Sequence, residues 1–201
     1  MRDRVALTAI AAGFVAGAFL NLDLPTLDRI GPVARLFIGS MLPIAASAIY
    51  FVFGSLWRRD PSIVIQTHAR AQRGIRRCIV LFAIALHFLL IASLAGMTTV
   101  RAAAPRLTVV LFGLLFVGVG NQLPQTRPNL VVGIRTSRTL GDRGFWMRIH
   151  RVGGYATVAV GAVLVFSGLF LNRFQIVQAF HVAAFAAALA LLVSYRRHAH
   201  A

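Results

Sequence analysis

Apolar residues fall into six runs, at about 5–22, 36–56, 78–97, 107–123, 152–171 and 175–195. As α-helix, each run is long enough to cross the roughly 30 Å of a bilayer's hydrocarbon. Short arginine-bearing stretches separate them, except that only Asn172–Phe174 stands between the last two. The pattern predicts an all-α polytopic membrane protein: one membrane domain over residues 1–201 with six transmembrane helices. The first run follows Arg2 and Arg4 and ends near Ala16-Gly17-Ala18, which mimics a signal peptide, but we expect it to be a retained span.

Small residues recur within the runs. Ala9, Gly13 and Gly17 repeat every four residues, Gly154, Gly161 and Gly168 every seven, and Ala179, Ala183 and Ala187 every four. Lipid offers helices no hydrophobic reason to pair, so close backbone approach along such faces supplies one. The short link makes the last two helices an antiparallel hairpin, and the glycine face is expected to meet the alanine face. The same faces would also serve a homo-oligomer. Pro43 is expected to kink the second helix, with Ser47 or a neighbour bonding the carbonyl that it frees.

Composition agrees with the pattern: 58% of residues are hydrophobic and 13% charged, about half the charged share of a soluble domain. Every cation except histidine is an arginine and every acid an aspartate, for a net charge of +16. So basic a chain raises nucleic acid as a partner, but arginines scattered between membrane spans do not form one soluble basic face, and that reading is rejected. If the six helices alternate, sixteen of the 21 arginines fall on one side and five on the other. The positive-inside rule then places both termini and the loops at 57–77 and 124–151 in the cytoplasm. In the first of these loops Asp60-Pro61 suits a helix start, and Arg70, Arg73 and Arg77 would share a face towards anionic lipid headgroups. Trp57 and Tyr195 stand where interfacial aromatic belts belong. Cys78 is the sole cysteine, so no intrachain disulfide forms.

The stretch from Gly120 to Tyr155 joins the fourth and fifth runs and carries six arginines and two prolines. A connection this long in a compact chain is commonly functional. Pro124 and Pro128 stop the preceding helix, and Asn129–Gly133 is expected to lie extended or to dip toward the membrane. Thr139-Leu-Gly-Asp142 fits a capping box, starting a short amphipathic helix in the membrane interface with Phe145, Trp146, Ile149 and Val152 on one side.

Gly120-Asn121, the prolines, Asn129, Gly133-Ile-Arg-Thr136, Thr139-Leu140, Trp146 and His150-Arg151 resemble the signature loop of the SdpI immunity-protein family. Ser137-Arg138 replaces the family's proline–tryptophan pair, and the segment after the first helix is reduced to Leu24-Pro25-Thr26. The resemblance implies six membrane helices with this loop, structured and cytoplasmic, after the fourth. It implies immunity to, or sensing of, a membrane-active peptide toxin, with signalling by holding a cytoplasmic repressor at the membrane. The ligand- or partner-binding residues would be Asn121, Asn129, Gly133, Arg135, Thr136, Thr139, Trp146, His150 and Arg151. Arg135, Thr136, Asn129, His150 and Arg151 would offer donors, and Trp146 would set the loop's depth.

Two histidines, His87 and His181, lie inside predicted spans, where ionisable residues are costly and often functional. Haem ligation by the pair is disfavoured because their depths differ, and a packing role is preferred. No paired acids, nucleophile elbow or metal-ligand cluster is present, so no catalytic residue, metal or cofactor is assigned and no enzyme is expected. His198 and His200 read as a solvated tail. The alternative function is a small transporter or channel, with Asn121, Gln122, His87, Gln178 and His181 lining a polar path.

Overall fold

The computed structural model describes residues 3–21, 31–59, 66–129 and 131–199. Among them the chain is all helical, with seven α-helices and no strand: α1 Arg4–Ala18, α2 Pro32–Arg58, α3 Gln66–Leu94, α4 Thr98–Gln122, α5 Ser137–Gly141, α6 Arg143–Phe170 and α7 Arg173–Ala199. Five of these, α2, α3, α4, α6 and α7, are long and apolar enough to cross a membrane. Helix α1 is shorter, 15 residues followed by a 3-10 turn at Phe19–Asn21. At 1.5 Å per residue its α-helical part falls short of a full hydrocarbon thickness. Asp60-Pro61 and Leu24-Pro25-Thr26 lie outside the described residues.

Several helices begin earlier than hydropathy places them. Helix α3 starts a dozen residues before its apolar run, so the basic segment is the first part of the membrane helix itself. Its Arg70, Arg73 and Arg77 are exposed, whereas Arg76 is buried. Helix α6 runs unbroken from Arg143 to Phe170, so the separate interfacial helix expected around Trp146 does not exist: these residues form the first turns of a long helix.

The core is built by close helix pairs. Helix α4 packs along α6 antiparallel, with Gly113 against Gly161 and Gly120 against Gly154. A Cβ on any of these four would lie under 3 Å from a carbonyl oxygen of the opposite glycine. Gly168 continues the seam against Arg106 and Val110 of α4. The seven-residue glycine repeat therefore faces α4, not α7 as the sequence suggested. Helix α7 rests mainly on another side of α6, where Leu191 meets Gly153, and Ala179, Ala183 and Ala187 are only half-buried. Helix α1 lies against α2 and α3, with Gly17 against Gly39. Pro43 cannot donate to the Gly39 carbonyl, and that carbonyl faces Gly17. Ser47 donates instead to the carbonyl of Pro43 itself at 2.8 Å.

One end of the bundle gathers the arginine-rich segments. Asp3 caps α1 and accepts a hydrogen bond from Arg77 Nε at 2.9 Å, tying the N-terminus to α3. Burial alone would raise the Asp3 carboxyl, but Arg77, the Ala6 N–H and the charge of Arg76 together hold it below the ordinary value. Gly74 of α3 meets Gln122 at the end of α4, and Tyr195 of α7 reaches Thr136.

Candidate functional site

The segment between α4 and α6 is folded onto α6 by hydrogen bonds from buried side chains. It leaves α4 through a 3-10 turn at Leu123–Gln125. There the buried Thr126 takes the Trp146 indole N–H, 3.2 Å from both its carbonyl and its hydroxyl. Next, the Arg127 N–H donates to His68 Nδ1 of α3 at 3.0 Å. His68 Nε2 lies 2.8 Å from the Gln72 side-chain nitrogen one turn along the same helix. His68 is fully buried and is a loop anchor that sequence reasoning missed. No local motif marks it, because its partner lies 59 residues away.

Asn129 does not lie in an extended strand. Its side-chain oxygen accepts from the N–H groups of Val131 and Val132, at 2.9 and 2.8 Å, and its amide donates to the Arg127 carbonyl. This is an Asx-type turn that satisfies the backbone where helix bonds are missing. It leads into Gly133, whose φ of +119° lies where side chains are rarely tolerated. A Cβ there would also collide with His150 Nε2.

The close approach lets the Ile134 N–H donate to His150 Nε2 at 3.0 Å. His150 Nδ1 donates in turn to the Trp146 carbonyl at 2.9 Å, which fixes the neutral tautomer. The two rings stack 3.8 Å apart and only 13° from parallel. Both are buried, so Trp146 is not a lipid-facing depth gauge and His150 is not a donor for a partner. They form the floor on which the loop is laid.

The capping box exists, three residues earlier than expected. Thr136 is the N-cap and Thr139 the third helical residue, their side chains and backbone N–H groups bonding reciprocally. Thr139, fully buried, also donates to the Ile134 carbonyl at 2.8 Å. Asp142, expected to close that box, starts the next helix by accepting the Phe145 N–H at 3.0 Å. That bond, helped by the Gly144 N–H and the nearby Arg148 and Arg138, holds its carboxyl below the ordinary value.

The predicted site residues thus divide. Asn129, Thr139, Trp146 and His150 are buried and spent on internal bonds, while Gly133, Arg135 and Arg151 are exposed and Thr136 is half-buried. Asn121 is exposed on α4, before the loop. Arg138 lies over the Phe145 ring at 5.0 Å. The surface offered outward is cationic, over a rigid neutral base.

His87 and His181 are not brought together. His87 is buried with Nε2 3.0 Å from the Gly13 carbonyl of α1, whereas His181 is exposed and bonds within its own helix to Val177. Gln178 is exposed as well, so these side chains do not line one path. Among the described residues no group of three or more His, Cys, Asp or Glu could hold a metal ion.

Residues 125–195 match the model of the SdpI/YfhL protein family. Over that stretch, about a third of the chain, the protein is similar to this family. No curated protein and no solved structure matches the chain. The SdpI match starts at Gln125, inside the 3-10 turn, and ends at Tyr195, whose hydroxyl meets Thr136. It therefore takes in the loop, its floor on α6 and the helix that closes it. With five helices of spanning length, the chain has the character of a multi-pass membrane protein.

Proposed function

We propose that this protein protects a bacterial cell against, or senses, a membrane-active peptide toxin from the cytoplasmic side of the inner membrane. In this reading α1 joins the five longer helices as a sixth span. Both termini and the loop then face the cytoplasm, where sixteen arginines meet anionic lipid headgroups. The loop presents Arg135 and Arg151, with Thr136 beside them, to an anionic or carbonyl-rich partner, either the peptide or a cytoplasmic repressor held at the membrane. The observation that carries this reading is the loop itself. It lies in the family-matching segment, and its buried residues are all used to hold a short cationic surface in place. Such pre-organisation lowers the entropy cost of binding.

The test is peptide killing of sensitive cells with and without the protein. Expression is expected to protect, and Arg135→Ala is expected to abolish protection while the variant inserts at normal levels. An Arg135→Ala variant that protects like the wild type would remove the loop as the functional surface. Failure of the wild type to protect would remove the immunity reading. Labelling of residue 135, as Arg135→Cys in a Cys78→Ala background, is expected only after the membrane is permeabilised. Labelling of intact cells would overturn the orientation.

A further inference from the structure

Buried polar groups that find no partner are rare in folded chains, and each asks for an explanation. Two sit together where α2 ends and α3 begins. The Trp57 indole N–H and the Arg76 Nε–H are buried without a hydrogen-bond partner. Trp57 is 3% exposed and Arg76 is 8% exposed, so Trp57 is no interfacial belt residue.

Arg76 has little else to neutralise it. Its guanidinium lies over the Tyr50 ring, 4.3 Å from the centroid, and makes one long bond of 3.5 Å to the Tyr50 carbonyl. Asp3, whose carboxyl feels the charge of Arg76, is engaged by Arg77. Among the described residues no carboxylate stands within ion-pair distance of Arg76. The guanidinium also lies 6.0 Å from the centroid of the Trp57 ring. A buried charge held by two ring faces and one stretched bond is costly unless a counter-charge arrives.

Trp57 and Arg76 both line one cavity. It has a volume of about 270 Å³ and is lined by Gly54, Trp57, Arg58, Gln72, Arg73 and Arg76 among others. Gly54 makes room for the guanidinium: a Cβ there would lie 2.7 Å from Arg76 Nη1. Arg58 and Arg73 are exposed at the rim. Three arginines and a tryptophan line one space, and among the described residues no acidic side chain lines it.

We infer that this cavity is a binding site for a phosphate group, seated against Arg76 and Trp57 and closed by Arg58 and Arg73. The guanidinium fork matches phosphate oxygens in geometry and charge. The volume is several times what a single water needs. Trp57 is the penultimate residue of a spanning helix, which is the depth of phospholipid headgroups. The phosphate can therefore belong to a lipid or be free in solution. A second cavity of about 550 Å³, on the opposite side of Arg73 between α3 and Gln122 and Gln125, is also basic but borders neither unpartnered donor.

The experiment uses the full-length protein in dodecyl maltoside, free of phosphate and lipid. Inorganic phosphate is titrated in one arm and a short-chain phosphatidylglycerol in the other, each followed by calorimetry. One equivalent should bind. Arg76→Gln should weaken it by about tenfold or more, as expected for loss of a charged hydrogen-bond donor. Trp57→Phe, which keeps the ring and removes only the N–H, should weaken it about fivefold. Arg70→Gln, which borders only the second cavity, should change it less than about twofold. Saturable binding of inorganic phosphate that both cavity variants weaken identifies a free-phosphate site. The same pattern with lipid alone identifies a headgroup site. Absence of binding in both arms, or binding that Trp57→Phe leaves unchanged, overturns the inference, and this variant decides the matter should Arg76→Gln fail to fold.

Discussion

Helices α6 and α7 are neighbours in sequence, and by mean hydropathy α7 is the more apolar, 2.2 against 1.8 over the best window of each. Yet 39% of the α6 window is buried inside the protein and none of the α7 window is. In a soluble chain the more apolar helix would be the more buried. In a membrane chain apolar surface gains nothing by leaving lipid for protein, so hydropathy does not decide which helix lies inside. Backbone access and polar termini decide it. Helix α6 has glycine at Gly154, Gly161 and Gly168 facing α4, and at its start Trp146 and His150 tie down the loop. Helix α7 offers Val182, Phe185 and Leu189 outward and has Tyr195 as its polar link to Thr136.

The most direct way to break this contrast is to remove the seam. Gly161→Val places a branched side chain where even a Cβ would be 2.6 Å from the Gly113 carbonyl. Neither backbone can yield without separating α4 from α6. We expect a loss of about 3 kcal/mol or more in unfolding from detergent micelles, at the upper end for overpacking. A variant as stable as the wild type would show that the two helices do not depend on this contact.

A smaller effect is expected where the loop meets α6. Gly133→Ala asks an L-residue to hold a φ of +119° and drives its methyl into His150 Nε2. Strain and a weakened Ile134–His150 bond should cost about 2 kcal/mol. The loop should show it first, as faster protease cleavage between residues 126 and 142 while the helices stay folded. Unchanged cleavage would mean that His150 does not hold the loop.

These two sites mark how far the sequence could be read. Runs of apolar residues were enough to place the helices α2, α3, α4, α6 and α7, because hydrocarbon thickness dictates run length. The glycine repeat was visible too, but not its partner: a repeat names a face and cannot say which neighbour that face meets. The missed start of α6 has a related cause. Arg143, Arg148 and Arg151 lower the hydropathy of its first turns, although all three point outward from a helix already formed. In the loop, the residue types were legible and their roles were not. Asn129, Trp146 and His150 look like binding groups because they are polar or aromatic in a loop, yet each is consumed by backbone groups of the loop or its floor. His68, Arg76 and the burial of Trp57 gave no signal, since each depends on contacts between segments distant in sequence.

Tyr195→Phe sharpens the contrast from the other side. It deletes the hydroxyl that lies 3.4 Å from Thr136 Oγ1 but keeps the ring against Phe145, 5.2 Å between centroids. The bond is long and partly exposed, so its loss should cost about 0.5 kcal/mol. The measurable consequence is local, a rise in hydrogen exchange at Thr136–Thr139 with the global unfolding midpoint nearly unmoved. An effect as large as that of Gly133→Ala would show that α7 supports the loop as much as α6 does.

The smallest effect is expected on the outer face of α7. Val182 is 71% exposed and Phe185 72% exposed. If lipid covers them, Val182→Leu and Phe185→Leu exchange one apolar surface for another and should each stay within about 0.5 kcal/mol of the wild type. The bulkier Ala186→Trp, on the same exposed side, should be tolerated equally, because lipid tails rearrange around a side chain as a packed partner cannot. A second copy of the chain seated on α7 predicts the opposite. Close helix pairing would bury small residues such as Ala186, and tryptophan there would drive the copies apart. Crosslinking in native membranes distinguishes the two: we expect a monomer pattern that Ala186→Trp leaves unchanged. A dimer band lost in that variant would show that the apparent openness of α7 belongs to the isolated chain alone.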